Sequence, residues 1–181
     1  MTSYDPNILA EGLDVIFCGL NPGTSALRAG HSFSAPSNRF WPVLHLAGFT
    51  PTRLRPEEER RLLDFGCGLT AVVKRPTRKA DEVSSAEFRR AGPSFEEKIR
   101  RYQPRCVAFL GKRALSAISG GKDVPWGRQP DAFAGSTAWV LPNPSGLNRA
   151  YTTAMLVDAY AALRVTLEIA AGRPGEETDD A

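Results

Sequence analysis

The sequence has few of the side chains from which metal centres and disulfide frameworks are built. It contains two histidines, His31 and His45, and three cysteines, Cys18, Cys67 and Cys106. The cysteines are odd in number, far apart along the chain and set among apolar neighbours, and no Cys-x-x-Cys pair or Cys/His cluster occurs. This pattern favours reduced thiols in a core over disulfides. We expect no metal site and no cofactor.

Long apolar runs are also missing. No segment approaches the roughly 18 consecutive apolar residues of a membrane-spanning helix. The first residues, MTSYDPN, lack the basic and apolar regions of a secretory signal peptide. We therefore expect a cytoplasmic protein with no membrane association. The length of 181 residues fits one domain with a single hydrophobic core, which we place at residues 1–171.

The charge is distributed unevenly along the chain. Residues 172–181 (GRPGEETDDA) hold one arginine and four acids, a formal charge of −3, so residues 1–171 carry +6 to give the total of +3. The tail has nothing apolar to bury and is predicted to be disordered. Basic residues gather at 74–79, at 89–90 and between 98 and 105. Such clusters are typical either of a solvated surface or of a polyanionic partner.

Short apolar runs alternate with segments of helical spacing. The runs predict strands at 15–20, 68–73, 107–111 and 138–142. The spacing between and after them predicts helices at 38–47, 56–65, 84–102, 111–119 and 152–170. Ser84 to Glu87 resembles a capping box at the start of the third helix. The alternation favours an α/β fold with a mostly parallel sheet of four or five strands, covered on both faces.

Two unusual loops follow the first and the last predicted strands. The first loop is residues 19–23 (GLNPG), and the second loop is residues 142–149 (PNPSGLNR). In such sheets the functional site lies at the carboxyl ends of the strands. Pro and Gly fix tight turns whose backbone N–H groups can face inward and bind an anion. One such turn is usually a plain connection, but two in these places indicate a site.

These loops and other motifs resemble the mismatch-specific uracil-DNA glycosylases, bacterial relatives of thymine-DNA glycosylase. The resemblance extends from about residue 8 to about residue 170. It rests on 17–23 (FCGLNPG), 36–41 (PSNRFW), 46–50 (LAGFT), 110–112 (LGK) and 139–147 (WVLPNPSGL).

The family implies a three-layer α/β/α domain and a monofunctional enzyme that needs no metal. Such an enzyme flips uracil, and often ethenocytosine or thymine, out of double-stranded DNA where the base is mispaired with guanine. It then hydrolyses the N-glycosidic bond and leaves an abasic site. We also expect the protein to act on this DNA as a monomer.

The first loop fits this chemistry when its residues are judged by themselves. Hydrolysis of an N-glycosidic bond passes through an oxocarbenium-like sugar while the base leaves as an anion. The amide oxygen of Asn21 can accept a hydrogen bond from a water molecule and aim it at C1′. A neutral amide cannot remove the proton, so the reaction should be slow and depend on positioning. Backbone N–H groups near Leu20, Gly23 and Ser25 can hold the oxygens of the base.

The resemblance places two more residues in the base pocket. Phe33 matches the aromatic side chain that stacks on the flipped base, a contact worth ~1–3 kcal/mol per base, although a loop aromatic can equally pack into the core. Asn143 stands where faster uracil glycosylases carry a histidine that supports the leaving oxygen, which again predicts a modest rate. His31 matches no position of proton transfer, and we give it no role.

The tip of the second loop, residues 146–149, is interpreted as the DNA wedge. An apolar side chain there can enter the base stack from the minor groove and fill the gap that the flipped nucleotide leaves. Leu147 takes this role. The backbones of Gly146 and Asn148 would face the unpaired guanine, and Arg149 would hold a phosphate or assist the plug. Alternatively, Leu147 packs on the start of the final helix and Asn148 lies near its N-cap.

Two positions depart from the family pattern. Ala26 stands where some bacterial members have a serine, and Ala71 where some have a lysine or an acid, so polar groups are missing near the pocket. No residue resembles the tyrosine that excludes the methyl group of thymine in strict uracil enzymes, which predicts a permissive pocket. Two other functions remain open: a non-catalytic nucleic-acid-binding α/β module and a small-molecule nucleoside hydrolase. The second offers no reason for Leu147 or for the basic surface.

Overall fold

The computed structural model describes residues 4–170, without the side chains of residues 169 and 170. One sheet contains five strands: β1 (Val15–Gly19), β2 (Cys67–Ala71), β3 (Cys106–Leu110), β4 (Gly127–Arg128) and β5 (Thr137–Leu141). The α-helices are α1 (Thr24–Ala29), α2 (Phe40–Leu46), α3 (Ser85–Tyr102), α4 (Arg113–Ile118) and α5 (Thr153–Ala170). Two 3₁₀ helices, Pro56–Phe65 and Ala80–Glu82, complete the regular structure of the described residues.

The strands lie in the order β2-β1-β3-β5-β4. Neighbouring strands are parallel except for β4, which pairs with β5 in the antiparallel direction. The four predicted strands and the mostly parallel sheet are therefore confirmed. Strand β4 was not predicted because two residues are too short to show any periodicity.

The sheet is buried on both faces, which confirms the α/β/α layering. Alternate residues of a strand point to opposite faces, and β1 shows this directly. Val15 and Phe17 pack in one core with α2 and α5, whereas Ile16 and Cys18 pack in the other core with α3 and α4. Because β1 lies inside the sheet and both of its faces are covered, the residues at its carboxyl end are held in place from several sides.

Most helix predictions hold, with ends that differ by one or two residues. The predicted helix at 56–65 is a 3₁₀ helix rather than an α-helix. Helix α1 was not predicted, because six residues are too few for a periodic signal. Gly30 (φ 74°) closes it as a left-handed cap. The capping box of α3 is confirmed, since Ser84 Oγ accepts from Glu87 N–H at 3.2 Å and the Glu87 carboxylate accepts from Ser84 N–H at 3.0 Å.

Helix α5 is attached to the second loop through one buried phenol. Tyr160 is fully buried, and its hydroxyl donates to the carbonyl of Pro142 at 3.0 Å. Burial raises the pKa of Tyr160, so the hydroxyl keeps its proton and remains a donor. The contact holds the start of the second loop on the end of β5.

The three cysteines are buried free thiols, as expected. Burial raises the pKa of Cys67 to about 12 and that of Cys106 to about 12, so both thiols stay protonated. Among residues 4–170, no group of three or more His, Cys, Asp or Glu is arranged to hold a metal ion. Over the same range, no helix combines the length and apolar character that crossing a membrane needs. The tail predicted at 172–181 lies outside the described residues.

Gly68 offers a test of how tightly the β2 edge is packed. A Cβ there would lie 2.7 Å from the carbonyl oxygen of Ile8 and 2.7 Å from Leu13 Cδ1. We expect Gly68→Ala to lower the free energy of unfolding by about 1–3 kcal/mol, as overpacking does, measured by urea denaturation. Gly92→Ala is the matched control. Gly92 lies inside α3, where alanine is the better helix former, and its Cβ would lie 3.4 Å from Ile118 of α4, an ordinary contact. Equal stability of both variants would contradict the packing described.

Candidate active site

A cleft of about 330 Å³ opens at the carboxyl ends of β1, β2, β3 and β5. The first loop, the segment 32–38 and part of the second loop form its walls. The lining includes every residue predicted for catalysis or the base pocket: Leu20, Asn21, Gly23, Ser25, Phe33 and Asn143. Leu147 also reaches the cleft, whereas Gly146, Asn148 and Arg149 lie outside its lining.

The amide of Asn21 is fixed in one orientation. Its Nδ2 donates to the carbonyl of Arg75 at 2.9 Å and to Thr77 Oγ1 at 2.7 Å. A carbonyl can only accept, so the atom that faces Arg75 must be the NH₂ group. No donor among the described residues reaches Oδ1. The oxygen of Asn21 is therefore available as an acceptor at the carboxyl end of β1.

The role of Thr77 was not predicted from the sequence. Its hydroxyl donates to the carbonyl of Lys79 at 2.7 Å, which leaves its lone pairs for the Asn21 amide. Its backbone N–H donates to Pro22, and its carbonyl accepts from Thr24 N–H, both at 3.1 Å. Thr77 is buried within a run that reads as basic surface in the sequence. The only signal was its place a few residues after β2, where a sheet of this type builds its site.

The Arg75 carbonyl is itself held from the side of α3. The Arg75 guanidinium donates two hydrogen bonds to the Glu87 carboxylate, at 2.9 Å and 3.0 Å. These bonds, together with the Ser84 N–H, lower the pKa of Glu87 to about 2. One carboxylate thus caps α3 and anchors the segment that orients Asn21.

Phe33 takes part in both the core and the cleft. Its ring stacks on the fully buried ring of Phe40, with centroids 4.2 Å apart and planes at 27°. Its φ of 52° lies in the left-handed region, which is strained for a residue with a side chain. The preceding residue holds the turn: Ser32 N–H donates to Glu59 Oε2 at 2.7 Å, and its carbonyl accepts from Trp41 Nε1 at 3.1 Å.

The N-terminal segment supplies a tyrosine that sequence reasoning also missed. Tyr4 lines the cleft, and its hydroxyl lies 2.6 Å from Ser32 Oγ. Burial raises the pKa of Tyr4. His31 does not line the cleft, and its Nδ1 lies 3.3 Å from Glu59 Oε1.

Asn143 is oriented by the turn that follows it. Its Oδ1 accepts from Ser145 N–H at 2.9 Å, and its carbonyl accepts from Asn148 Nδ2 at 2.9 Å. Its own Nδ2 has no acceptor among residues 4–170. Because Asn143 lines the cleft, this NH₂ group is a donor available to a bound molecule.

Leu147 stands out from the rim of the cleft and is 71% exposed. This exposure contradicts the alternative in which Leu147 packs on the final helix. The N-cap position of α5 is taken by Thr152, whose Oγ1 accepts from Met155 N–H at 3.2 Å. Asn148 is therefore not the N-cap.

The prediction that the backbone of Asn148 faces the unpaired guanine is wrong. Its N–H donates to the carbonyl of Ser145 at 3.0 Å, and its carbonyl accepts from Arg39 Nη2 at 2.9 Å. Both groups thus face into the loop and not toward a base outside it. Gly146 is the other residue predicted to face the guanine. Its backbone N–H and C=O have no protein partner in the described part of the chain. Arg149 is exposed and forms no ion pair there.

The two departures from the family pattern both lie at the cleft. Ala26 and Ala71 line it, with 6% and 4% exposure. Their methyl groups make these parts of the wall apolar where a serine, lysine or acid would supply a polar group. Arg78 and Lys79 line the cleft as well, and both are exposed.

The Glu87 and Arg75 pair predicts a window of pH dependence. A carboxylate whose pKa is lower in the folded than in the unfolded protein stabilises the fold above its ordinary pKa and loses this effect as the pH falls through the folded value. We therefore expect the difference in Tm between the wild type and Glu87→Gln to be constant from neutral pH to about 4.5 and to vanish near 2. Glu97→Gln, at an exposed position of the same helix, controls for the loss of one carboxylate. A difference that persists at the acid end would contradict the pairing.

Two comparisons with known proteins bear on the family. The chain is similar to a proposed uracil DNA glycosylase from Methanosarcina acetivorans, solved by solution NMR, with a TM-score of 0.60 and 22% identity over 92% of this chain and 98% of that chain. At that identity the likeness shows a shared fold. The family model of the uracil DNA glycosylase superfamily matches residues 6–164, which include both loops and the whole cleft apart from Tyr4. The chain belongs to the uracil DNA glycosylase superfamily.

Proposed function

We propose that this protein is a monofunctional DNA glycosylase that acts as a monomer on double-stranded DNA. Its substrate is uracil mispaired with guanine, and ethenocytosine or thymine in the same context; its product is an abasic site. The observation that carries the proposal is the fixed amide of Asn21, whose NH₂ group is held by Arg75 and Thr77 while its oxygen remains free.

Asn21 acts by positioning water. With its NH₂ group occupied, Oδ1 accepts a hydrogen bond from a water molecule and holds the water oxygen toward C1′ of the sugar. The C1′–N bond breaks and the base leaves as an anion, while the water oxygen bonds to the cationic C1′. The amide takes no proton, so the water loses its proton only as the new C–O bond forms, and that proton passes to the departing base anion or to solvent. The rate enhancement then comes from position and from stabilisation of the leaving base.

The base is held by a ring and by N–H donors. Phe33 supplies a ring whose other contact is the core ring of Phe40, so stacking on a base would complete a short aromatic stack. The backbone N–H groups of Gly23 and Ser25 have no acceptor among the described residues, as the geometry of a helix start requires. Together with Asn143 Nδ2 they provide donors for the negative charge that develops on the base oxygens.

Features of the rim favour DNA over a free nucleoside. Leu147 is exposed at the edge of the cleft, where it can fill the gap left by a flipped nucleotide. Exposed basic side chains, Arg78, Lys79 and Arg149, lie beside it or along the cleft and suit a phosphate backbone. The free carbonyl of Gly146 suits the N1–H and N2–H donors of an unpaired guanine, which supports a preference for mismatches with guanine.

A base-release panel tests the proposed function. We expect uracil release from G·U duplexes to exceed release from A·U duplexes, and Asn21→Ala to lose release by a factor on the order of 10² or more with DNA binding largely retained. Release is measured as alkali-labile strand cleavage, with ethenocytosine, thymine and hypoxanthine each placed opposite each partner base.

The controls separate the competing functions. Full activity in Asn21→Ala would refute its assignment. Binding of G·U duplex by the wild type without any abasic product would indicate a binding module, and release of base from free nucleosides would indicate a nucleoside hydrolase.

Leu147→Ala tests the wedge separately. We expect a much larger loss of activity on paired duplex than on single-stranded uracil DNA or on a pre-flipped analogue, because only the duplex leaves a gap to fill. Leu46→Ala removes another exposed leucine, 60% exposed on α2, and should leave the ratio unchanged. An equal loss on both kinds of substrate would count against the wedge.

A further inference from the structure

We infer that Arg39 is a positioning residue for the wedge, a role that rests on the proposed function. Arg39 does not line the cleft. Its guanidinium lies beneath the second loop and fastens both sides of the tip formed by Gly146 and Leu147. The tip is thereby held in shape before DNA arrives.

The Arg39 guanidinium donates hydrogen bonds to three backbone carbonyls. Nη2 donates to Ser145 at 3.1 Å and to Asn148 at 2.9 Å, and Nη1 donates to Tyr151 at 2.7 Å. The backbone N–H of Arg39 adds a bond to the carbonyl of Pro144 at 3.0 Å. Ser145 and Asn148 flank the tip directly, so one planar group joins its two ends and reinforces the hydrogen bond from the Asn148 N–H to the Ser145 carbonyl.

The fork geometry is what these contacts use. A guanidinium presents its N–H donors at fixed angles in one plane, whereas a lysine ammonium is a single point on a flexible stem. Arg39 forms no ion pair with any carboxylate among residues 4–170, and its Nε is buried without a partner. A half-buried cation that contacts only carbonyl oxygens gains nothing from charge pairing. Its hydrogen bonds to the loop account for its placement.

Ser37, two residues before Arg39, also contacts the tip. A Cβ on Gly146 would lie 2.6 Å from Ser37 Cβ and 2.7 Å from the Ser37 carbonyl oxygen. Glycine is therefore required at 146 by close approach, since its φ is not in the left-handed region. The contact between Ser37 and Gly146 fixes the distance between the tip and segment 32–38. Arg39 fixes the shape of the tip.

A tip ordered in advance lowers the cost of insertion. A loop that must become ordered on binding subtracts that conformational entropy from the binding free energy. Leu147 can then enter the stack as part of a formed surface. Without Arg39, the carbonyls of Asn148 and Tyr151 lose their donor, and the Ser145 carbonyl keeps only the Asn148 N–H, so the tip is less restrained.

The test is a double-mutant cycle between Arg39 and Leu147. Base flipping is followed by the fluorescence of 2-aminopurine next to a non-hydrolysable 2′-fluorodeoxyuridine opposite guanine, and catalysis by single-turnover uracil release from a G·U duplex. We expect Arg39→Met and Arg39→Lys each to lower both by roughly tenfold, the loss of about one net charged hydrogen bond. In the Leu147→Ala background the same changes should add little, because no wedge is left to position.

Controls keep the inference separable from folding. Arg164→Met removes a comparable arginine that donates to the carbonyl of Ala47, away from the cleft, and should leave both readouts unchanged. If Arg39→Met does not fold, Arg39→Lys and Gly146→Ala serve in its place, the latter because its Cβ would displace the tip from Ser37.

The outcomes distinguish two failures. If the wild type releases uracil but the Arg39 variants match it, or if their losses multiply with that of Leu147→Ala, the inference on Arg39 is overturned while the proposed function stands. If the wild type releases no uracil from any duplex, the proposed function fails, and the wedge role of Arg39 fails with it.

Discussion

The arrangement of this site depends on the two hydrogen bonds that hold the Asn21 NH₂ group against the Arg75 carbonyl and the Thr77 hydroxyl. An unrestrained amide can turn either its NH₂ group or its oxygen toward the cleft, and only the oxygen can accept a bond from water. A carbonyl acceptor on the protein side removes that ambiguity. The Asn21 side chain does not ionise, and this fixed orientation gives it one defined role, that of a hydrogen-bond acceptor.

Two arginines outside the chemistry support this site in different ways. Arg75 uses its side chain on Glu87 and its carbonyl on Asn21, so an ion pair on the surface of α3 is connected to the cleft. Arg39 pairs with no carboxylate of the described residues and spends its donors on loop carbonyls. The first sets the orientation of one amide, and the second sets the shape of a loop. Both act through backbone carbonyls, which carry no signature in a sequence.

Much of the fold could be predicted because burial on both faces of a parallel sheet leaves uninterrupted apolar runs. The four long strands were found this way, whereas β4 and α1 were missed because they are too short to show a period. The two loops were found because Asn, Pro and Gly punctuate strand ends. The direction of the Asn148 backbone was predicted wrongly. Its N–H and carbonyl face into the loop because they bond to Ser145 and to Arg39, a residue more than one hundred positions away.

By itself, the sequence determined the α/β alternation, the position of both loops after strands, and the family resemblance carried by their motifs. These are local properties, since apolar period, turn residues and motif spacing are all written within short stretches of chain. Tertiary structure alone decided which atom of Asn21 faces the cleft, that Thr77 is buried beside it, and that Tyr4 reaches the cleft from the N-terminal segment. Those outcomes are set by hydrogen-bond partners and neighbours brought together from distant segments, and no local pattern encodes such partners.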